Sequence, residues 1–262
     1  MSIDYPSKYP GLRFDRPAAG VLLITIEGHG DLNAYDEAMH EGFGRVWLDV
    51  DDDRDTRVVV ITGAGEAFQV GSVLKLERTY ESAVKGMREA SAVVYNMINC
   101  DKPIISAING AANDGGLALA LLADISFIAE DAQISDGHIP IGLAAGDHSA
   151  ILWPLLCGMA RAKYYLLTSD VLDGKEAERI GLVSKAVPRD QLMDAALAVA
   201  VKLSNGPQHA IRFTKKSINN WLRSFGPHFD ASLALEMMGL FSNDFGGTVM
   251  LGKDSAAPGQ DD

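Results

Sequence analysis

An α/β fold is the class this 262-residue sequence predicts. Short β-branched runs alternate with stretches of helical period, and the connections between them are short. An apolar share of 47% can fill one sizeable core.

The elements follow in chain order. Residues 11–27, "GLRFDRPAAGVLLITIE", read as a hairpin, and 57–62, "RVVVIT", as a buried strand. Between them "DLNAYDEAMHEGFGRVWLDVDDD" has apolar spacing near three and four, which predicts a helix over 31–53. The pattern recurs as a helix over 81–99, a strand over 103–110, a short helix over 116–124 and a strand over 125–130. Helices over 148–169 and 173–181 come next, closed by the strand-like "VSKAVP". Residues 189–206 form an amphipathic pattern ending on Asn205-Gly206, as a helix would. Beyond Pro207 the pattern is helical with a Gly226-Pro227 break, and its Leu, Met, Phe and Trp content demands a partner surface. The expected organisation is a core over 1–206, a C-terminal helical region over 207–250 and a disordered tail over 251–262.

Composition narrows the function. A formal net charge of -12 opposes nucleic-acid binding, which needs clustered Lys and Arg. Lys75, Arg78, Lys85 and Arg88 could gather at the mouth of a site for an anionic substrate, and they read equally well as a solvated helix face. Two cysteines, Cys100 and Cys157, make neither a metal cluster nor a disulfide framework. With no secretory signal, they suggest the cytoplasm. No apolar run approaches the roughly 18 residues of a membrane span.

Two glycine-bearing turns could carry chemistry: "GEAFQVGSV" after the strand at 57–62 and "NGAANDGGLAL" after the strand at 103–108. Each stands where a strand gives way to a helix, so unpaired backbone N–H groups can converge on one oxygen. Strand-to-helix turns also use glycine for backbone reasons alone.

Together with "DLNAYDEA", "IGLAAGD", "YYLLTSDVLDGKEAERIGLVSKAV" and "AIRFTKKSIN", these turns resemble the enoyl-CoA hydratase/isomerase (crotonase) superfamily over roughly residues 11–250. The resemblance implies a crotonase-like spiral of ββα units and a C-terminal helical trimerisation region, in a homotrimer or a dimer of trimers. It also implies an enolate or related oxyanion held by two amides, which by position are those of Ser72 and Gly115. Preorganised donors of this kind lower a barrier by about 3–4 kcal/mol each. No cofactor and no metal is implied; CoA would enter only as part of a substrate.

The sequence departs from the hydratase pattern at both catalytic glutamates, where it has Ala118 and His138. Without paired carboxylates, syn hydration has no evident acid/base apparatus. The turn "DGHIPIGLAAGDHSAILWP" instead resembles that of the 6-oxocamphor hydrolase family of β-diketone hydrolases. This resemblance makes His138 and Asp147 a catalytic pair and extends through Trp153-Pro154, Arg161 and "YYLLT". His40 falls on another active-site histidine of that family. Gly115 replaces a further histidine, and "DLNA" keeps a turn associated with CoA-binding members.

On chemistry alone, a neutral His138 oriented by Asp147 could take a proton from water attacking a carbonyl held by Ser72 and Gly115. Alternatively, His138 is a satisfied core histidine and Asp147 a helix N-cap. Further substrate-binding candidates are His40, Tyr35, Asp114, Trp153 and Glu236. The expected activity is hydrolytic carbon–carbon (retro-Claisen) cleavage of a β-diketone, acting on a small carbonyl compound. The alternatives are an acyl-CoA enzyme, an isomerase before a hydratase, or a non-catalytic family member.

Overall fold

The computed structural model describes residues 3–74 and 77–246. Lys75 and the 251–262 tail fall outside the described residues. The chain opens with α1 (Tyr5–Lys8), the hairpin β1 (Leu12–Ala18) and β2 (Val21–Ile26), and α2 (Glu37–Asp52). Then come β3 (Val58–Gly63), β4 (Ala67–Gln69), α3 (Tyr80–Asn99), β5 (Ile104–Ile108), β6 (Ala111–Ala112) and α4 (Asp114–Leu121). β7 (Ile125–Ala129), β8 (Gln133–Ile134), α5 (His148–Cys157), α6 (Met159–Thr168), β9 (Leu172–Asp173), α7 (Gly174–Ile180) and β10 (Lys185–Val187) follow. The chain then runs through α8 (Leu192–Ser204), α9 (Gln208–Ile218), α10 (Asn220–Ser224) and α11 (Gly226–Gly239).

Two sheets result. The larger has the order β1-β2-β3-β5-β7-β10, parallel except for the β1–β2 hairpin. Its central strands are apolar and buried end to end, as "VVVIT" of β3 and "IISAI" of β5 require for a sheet covered on both faces. The smaller sheet has the order β4-β6-β8-β9. Each turn of the spiral contributes one strand to each sheet, so β3, β5 and β7 are followed by β4, β6 and β8. Neighbouring strands lie about 4.8 Å apart. The segments leaving β4, β6 and β8 therefore start side by side, and they carry Ser72, Gly115 and His138.

Two expectations change. The helix predicted from 31 begins at Glu37, because Asn33 is left-handed (φ 53°) and Asp36 caps the helix by accepting from Met39 N–H. The block 148–169 is two helices that meet at Gly158. The expected break at Gly226-Pro227 is present: α10 ends at Ser224 and these two residues open α11, where a proline in the first turn sacrifices no intrahelical bond.

Asn33 has a structural task. Its Nδ2 donates to Ala64 O (2.8 Å) and Ala67 O (3.0 Å), fixing the corner between β3 and β4, while Val70 N–H donates to Leu32 O (2.9 Å). "DLNA" is thus explained by the clasp it makes. The C-terminal helices return to the core, with α11 packed on α3 and α5. Cys100 and Cys157 are buried free thiols, and no helix among the described residues is long and apolar enough to cross a membrane.

The start of α4 sits tightly on β4. A Cβ at Gly116 would lie 2.4 Å from Gln69 O and 2.6 Å from Gln69 Oε1. Gly116→Ala is expected to cost about 1–3 kcal/mol through overpacking, measured by denaturant unfolding. A variant as stable as its parent would contradict this packing.

Candidate active site

His138 follows β8 and is buried. Its Nδ1 lies 2.9 Å from Asp136 Oδ1, and its backbone N–H donates to the same oxygen at 3.2 Å. Ser149 Oγ donates to the other oxygen of Asp136 at 2.6 Å. Both carboxylate oxygens are thereby committed, and the imidazole is fixed with Nδ1 turned away from the remaining acids. Its Nε2 faces Glu236 Oε1 at 3.6 Å and Asp147 Oδ2 at 4.0 Å.

The sequence pairs His138 with Asp147; in the structure the carboxylate within hydrogen-bond distance of the ring is Asp136, and Asp147 Oδ2 lies 4.0 Å from Nε2. Asp147 caps α5, accepting from Ser149 N–H at 3.3 Å, and its Oδ1 lies 2.8 Å from Nδ1 of the fully buried His148. His148 Nε2 lies 3.2 Å from Ser149 Oγ. Asp136, His138, Asp147, His148 and Ser149 form one buried polar network. Asp136, His148 and Ser149 escape sequence reasoning; the only available signal was Asp136 two residues before the histidine.

The electrostatics follow from burial and these neighbours. Burial disfavours the charged imidazole of His138, but Asp136, Glu236 and Asp147 outweigh it and hold its pKa well above 6.5. Burial opposes charge on Asp136 too, yet the charge and hydrogen bond of His138, with that of Ser149, keep its carboxyl well below the usual range. Asp147 is likewise lowered against its burial, by His148 and then His138. Glu236 goes the other way: burial, reinforced by Asp147, Asp136 and Asp114, pushes it up to about 8 against the pull of His138.

Glu236 comes from the far end of the same chain. Ser232 Oγ donates to Gly146 O (2.5 Å), and a Cβ at Gly146 would lie 2.1 Å from Ser232 O. That close approach seats α11 on the loop before Asp147 and brings Glu236 to His138.

The two donor turns are tied together by Asn113, whose Oδ1 accepts from Gly71 N–H (2.9 Å) and whose N–H donates to Gln69 O (3.2 Å). Among the described residues the N–H groups of Ser72 and Gly115 have no acceptor. Tyr35 bridges to the Ser72 segment through Val73 N–H (2.9 Å), and its ring would touch a Cβ at Gly115 at 3.0 Å. The Tyr35 ring stacks on His40 at 5.1 Å between centroids, and His40 Nδ1 lies 2.6 Å from Glu89 Oε2. His40, Gly115, Ala118 and Asp147 help to line a cavity of about 30 Å³, room for one water molecule. The short Ala118 side chain on this wall leaves the space open.

Ser72, Gly115, Tyr35, His40, Asp114, His138, Asp147 and Glu236 are thus gathered around one region. Trp153 is not: it is fully buried in the core and tilted against Tyr165, because its position on α5 turns it away from the site.

A spiral whose glycine-bearing turns adjoin a buried histidine–carboxylate network defines the crotonase fold. The chain belongs to the enoyl-CoA hydratase/isomerase family, whose profile matches residues 16–238. It is 34% identical over 237 residues to a probable enoyl-CoA hydratase of Mycobacterium tuberculosis, covering 86% of this chain and 82% of that protein. Among solved structures, an enoyl-CoA hydratase/isomerase from Mycobacterium paratuberculosis superposes with a TM-score of 0.85 at 32% identity, covering 90% of this chain and 96% of the other. A β-diketone hydrolase from the cyanobacterium Anabaena, bound to (S)-3-oxocyclohexyl acetic acid, superposes with a TM-score of 0.84 at 29% identity, covering 91% and 97%.

Glu236 also links pH to stability. A carboxyl near 8 when folded and near 4.5 when unfolded favours the native state at low pH, and that stabilisation is lost as pH rises from about 4.5 through 8. The melting temperature of the parent is expected to fall over this interval, and that of Glu236→Gln to fall by several degrees less. Parallel declines in the two proteins would contradict a buried neutral Glu236.

Proposed function

We propose that this enzyme hydrolyses a carbon–carbon bond of a β-diketone by retro-Claisen cleavage. The single observation that carries the reading is the His138 imidazole anchored through Nδ1 by Asp136, with Nε2 facing the Glu236 and Asp147 carboxyls beyond hydrogen-bond distance of either. In its neutral form that nitrogen takes a proton from water as the water oxygen bonds to a carbonyl carbon. The Ser72 and Gly115 amides stabilise the resulting alkoxide. The space beside Ala118 and Asp147 suits the attacking water. Collapse of the adduct re-forms a carbonyl and sends the carbon–carbon bonding pair to the enolate of the second carbonyl. Water is the only co-reactant, and no cofactor or metal takes part in the reading.

The likeness to the Anabaena β-diketone hydrolase supports this assignment, as does the histidine in place of a hydratase glutamate. A second reading, an acyl-CoA isomerase, is favoured by the similarity to a monofunctional enoyl-CoA isomerase of Mycobacterium smegmatis, at 29% identity and a TM-score of 0.70. The charge pattern favours the diketone. Lys85 is paired with Glu37 and Glu89, and Arg78 donates to Phe245 O, so two of the cations expected at an anionic mouth are already engaged. A homotrimer in the cytoplasm remains part of the proposal. An apolar groove of about 420 Å³, lined among others by the exposed Leu155, Ile218 and Trp221, supports self-association.

The parent protein is expected to open cyclic 1,3-diketones to keto acids, and His138→Gln to lower kcat by about 10²–10⁴-fold. Because His138 must lose a proton held well above 6.5 before it can act as base, kcat/KM should climb with pH along a limb lying above 6.5. Absence of ring opening, with turnover of an enoyl thioester instead, would favour the second reading.

A further inference from the structure

Cleavage leaves an enolate carbon that must take up a proton, and the structure holds an acid not yet given a task. Asp114 is the first residue of α4, directly before the amide donor Gly115. Its backbone is left-handed, φ 44°, a conformation that side chains other than glycine adopt at a cost and that clusters at functional sites. Its carboxyl is buried, and neither oxygen has a hydrogen-bond partner among the described residues. An unsatisfied buried carboxyl is costly to keep unless something else uses it. Oδ1 would lie 2.6 Å from a Cβ at Gly137, so the acid occupies the space immediately beside the backbone that carries His138.

We propose, on the basis of the retro-Claisen reading, that Asp114 is the acid that protonates the enolate carbon released by cleavage. Tyr35, Asp136, His138, Asp147, His148 and Glu236 are the titratable groups around it. Burial first, and then the neighbouring carboxylates Asp136 and Asp147, raise its pKa against the pull of His138 and His148. Glu236, the other acid of the site, lies at the outlet of the imidazole, 3.6 Å from Nε2. Asp114 instead adjoins the turn that holds the attacked carbonyl.

The step balances. Water gives its proton to His138 Nε2 and its hydroxyl to the carbonyl carbon. The carbon–carbon bond breaks and its electron pair becomes the enolate. The enolate carbon takes the Asp114 proton, and the imidazolium proton restores Asp114. One water is consumed, and one carboxylic acid and one ketone are formed.

The test is cleavage of a prochiral cyclic 1,3-diketone in D₂O, read as kcat and as the face on which the new carbon–deuterium bond forms. The parent is assayed first, and its failure to open the ring would overturn the cleavage reading and this inference with it. With the parent active and selective for one face, Asp114→Asn and Asp114→Gly are each expected to lose at least tenfold in kcat and to scramble the deuterium between faces. Asp114→Gly should at the same time melt at the same temperature as the parent or higher, because glycine suits the left-handed backbone, which separates lost chemistry from lost folding. Parental kcat and single-face deuteration in either variant would overturn the proposal, as would loss of selectivity in Glu236→Gln alone.

Discussion

The hydrogen bond between Asp136 and His138 Nδ1 is the constraint on which the rest of the site depends. It fixes which nitrogen faces Glu236 and Asp147, and with Ser149 on the opposite oxygen it leaves the carboxylate no freedom to turn away. It also places an ionised acid beside a buried imidazole, which allows His138 to carry charge out of contact with water. The remaining acids respond to that arrangement. Asp147 stays ionised between two histidines, whereas Glu236 and Asp114 are driven toward their neutral forms. One histidine and four carboxyls thereby separate into an anchored imidazole, two carboxyls whose anionic form is favoured and two whose neutral form is favoured.

The fold supplies this arrangement through its smaller sheet. β4, β6 and β8 are two or three residues long, too short to contribute much burial of their own. What they do is set the spacing of the three segments that follow them. Asn33 and Asn113 hold those segments in register, the first from the loop before α2 and the second across the donor turns. The terminal helix completes the site from nearly a hundred residues away in sequence.

Much of the fold was legible because its large sheet is built from uninterrupted apolar strands separated by helical patterns, and periodicity reports such elements well. The short strands carry too few residues to show a period, and Asn33 ended a helical pattern by a backbone conformation that apolar spacing does not encode. Within the site, the two glycine-bearing turns and His138 stand out in the sequence, and the structure brings them together. The orienting partner does not stand out, because spacing along the chain does not reveal which way an imidazole ring points. Asp147 stood where a partner was expected, and Asp136, only two residues from His138, reaches the ring because the turn after β8 folds its side chain back. Asp147 met both of the roles considered for it in part, as the cap of α5 and as a neighbour of Nε2. Trp153 shared a motif with these residues and yet faces the core, since adjacency on a helix does not mean a shared face.

The anchoring of His138 can be observed directly by ¹⁵N–¹H correlation NMR of the imidazole in the parent protein, at a pH above the raised value of this histidine. The account predicts a neutral ring protonated on Nδ1, with Asp136→Asn disturbing that state. A ring protonated on Nε2, indifferent to substitution of Asp136, would contradict it, because Nε2 would then be unable to accept a proton from water.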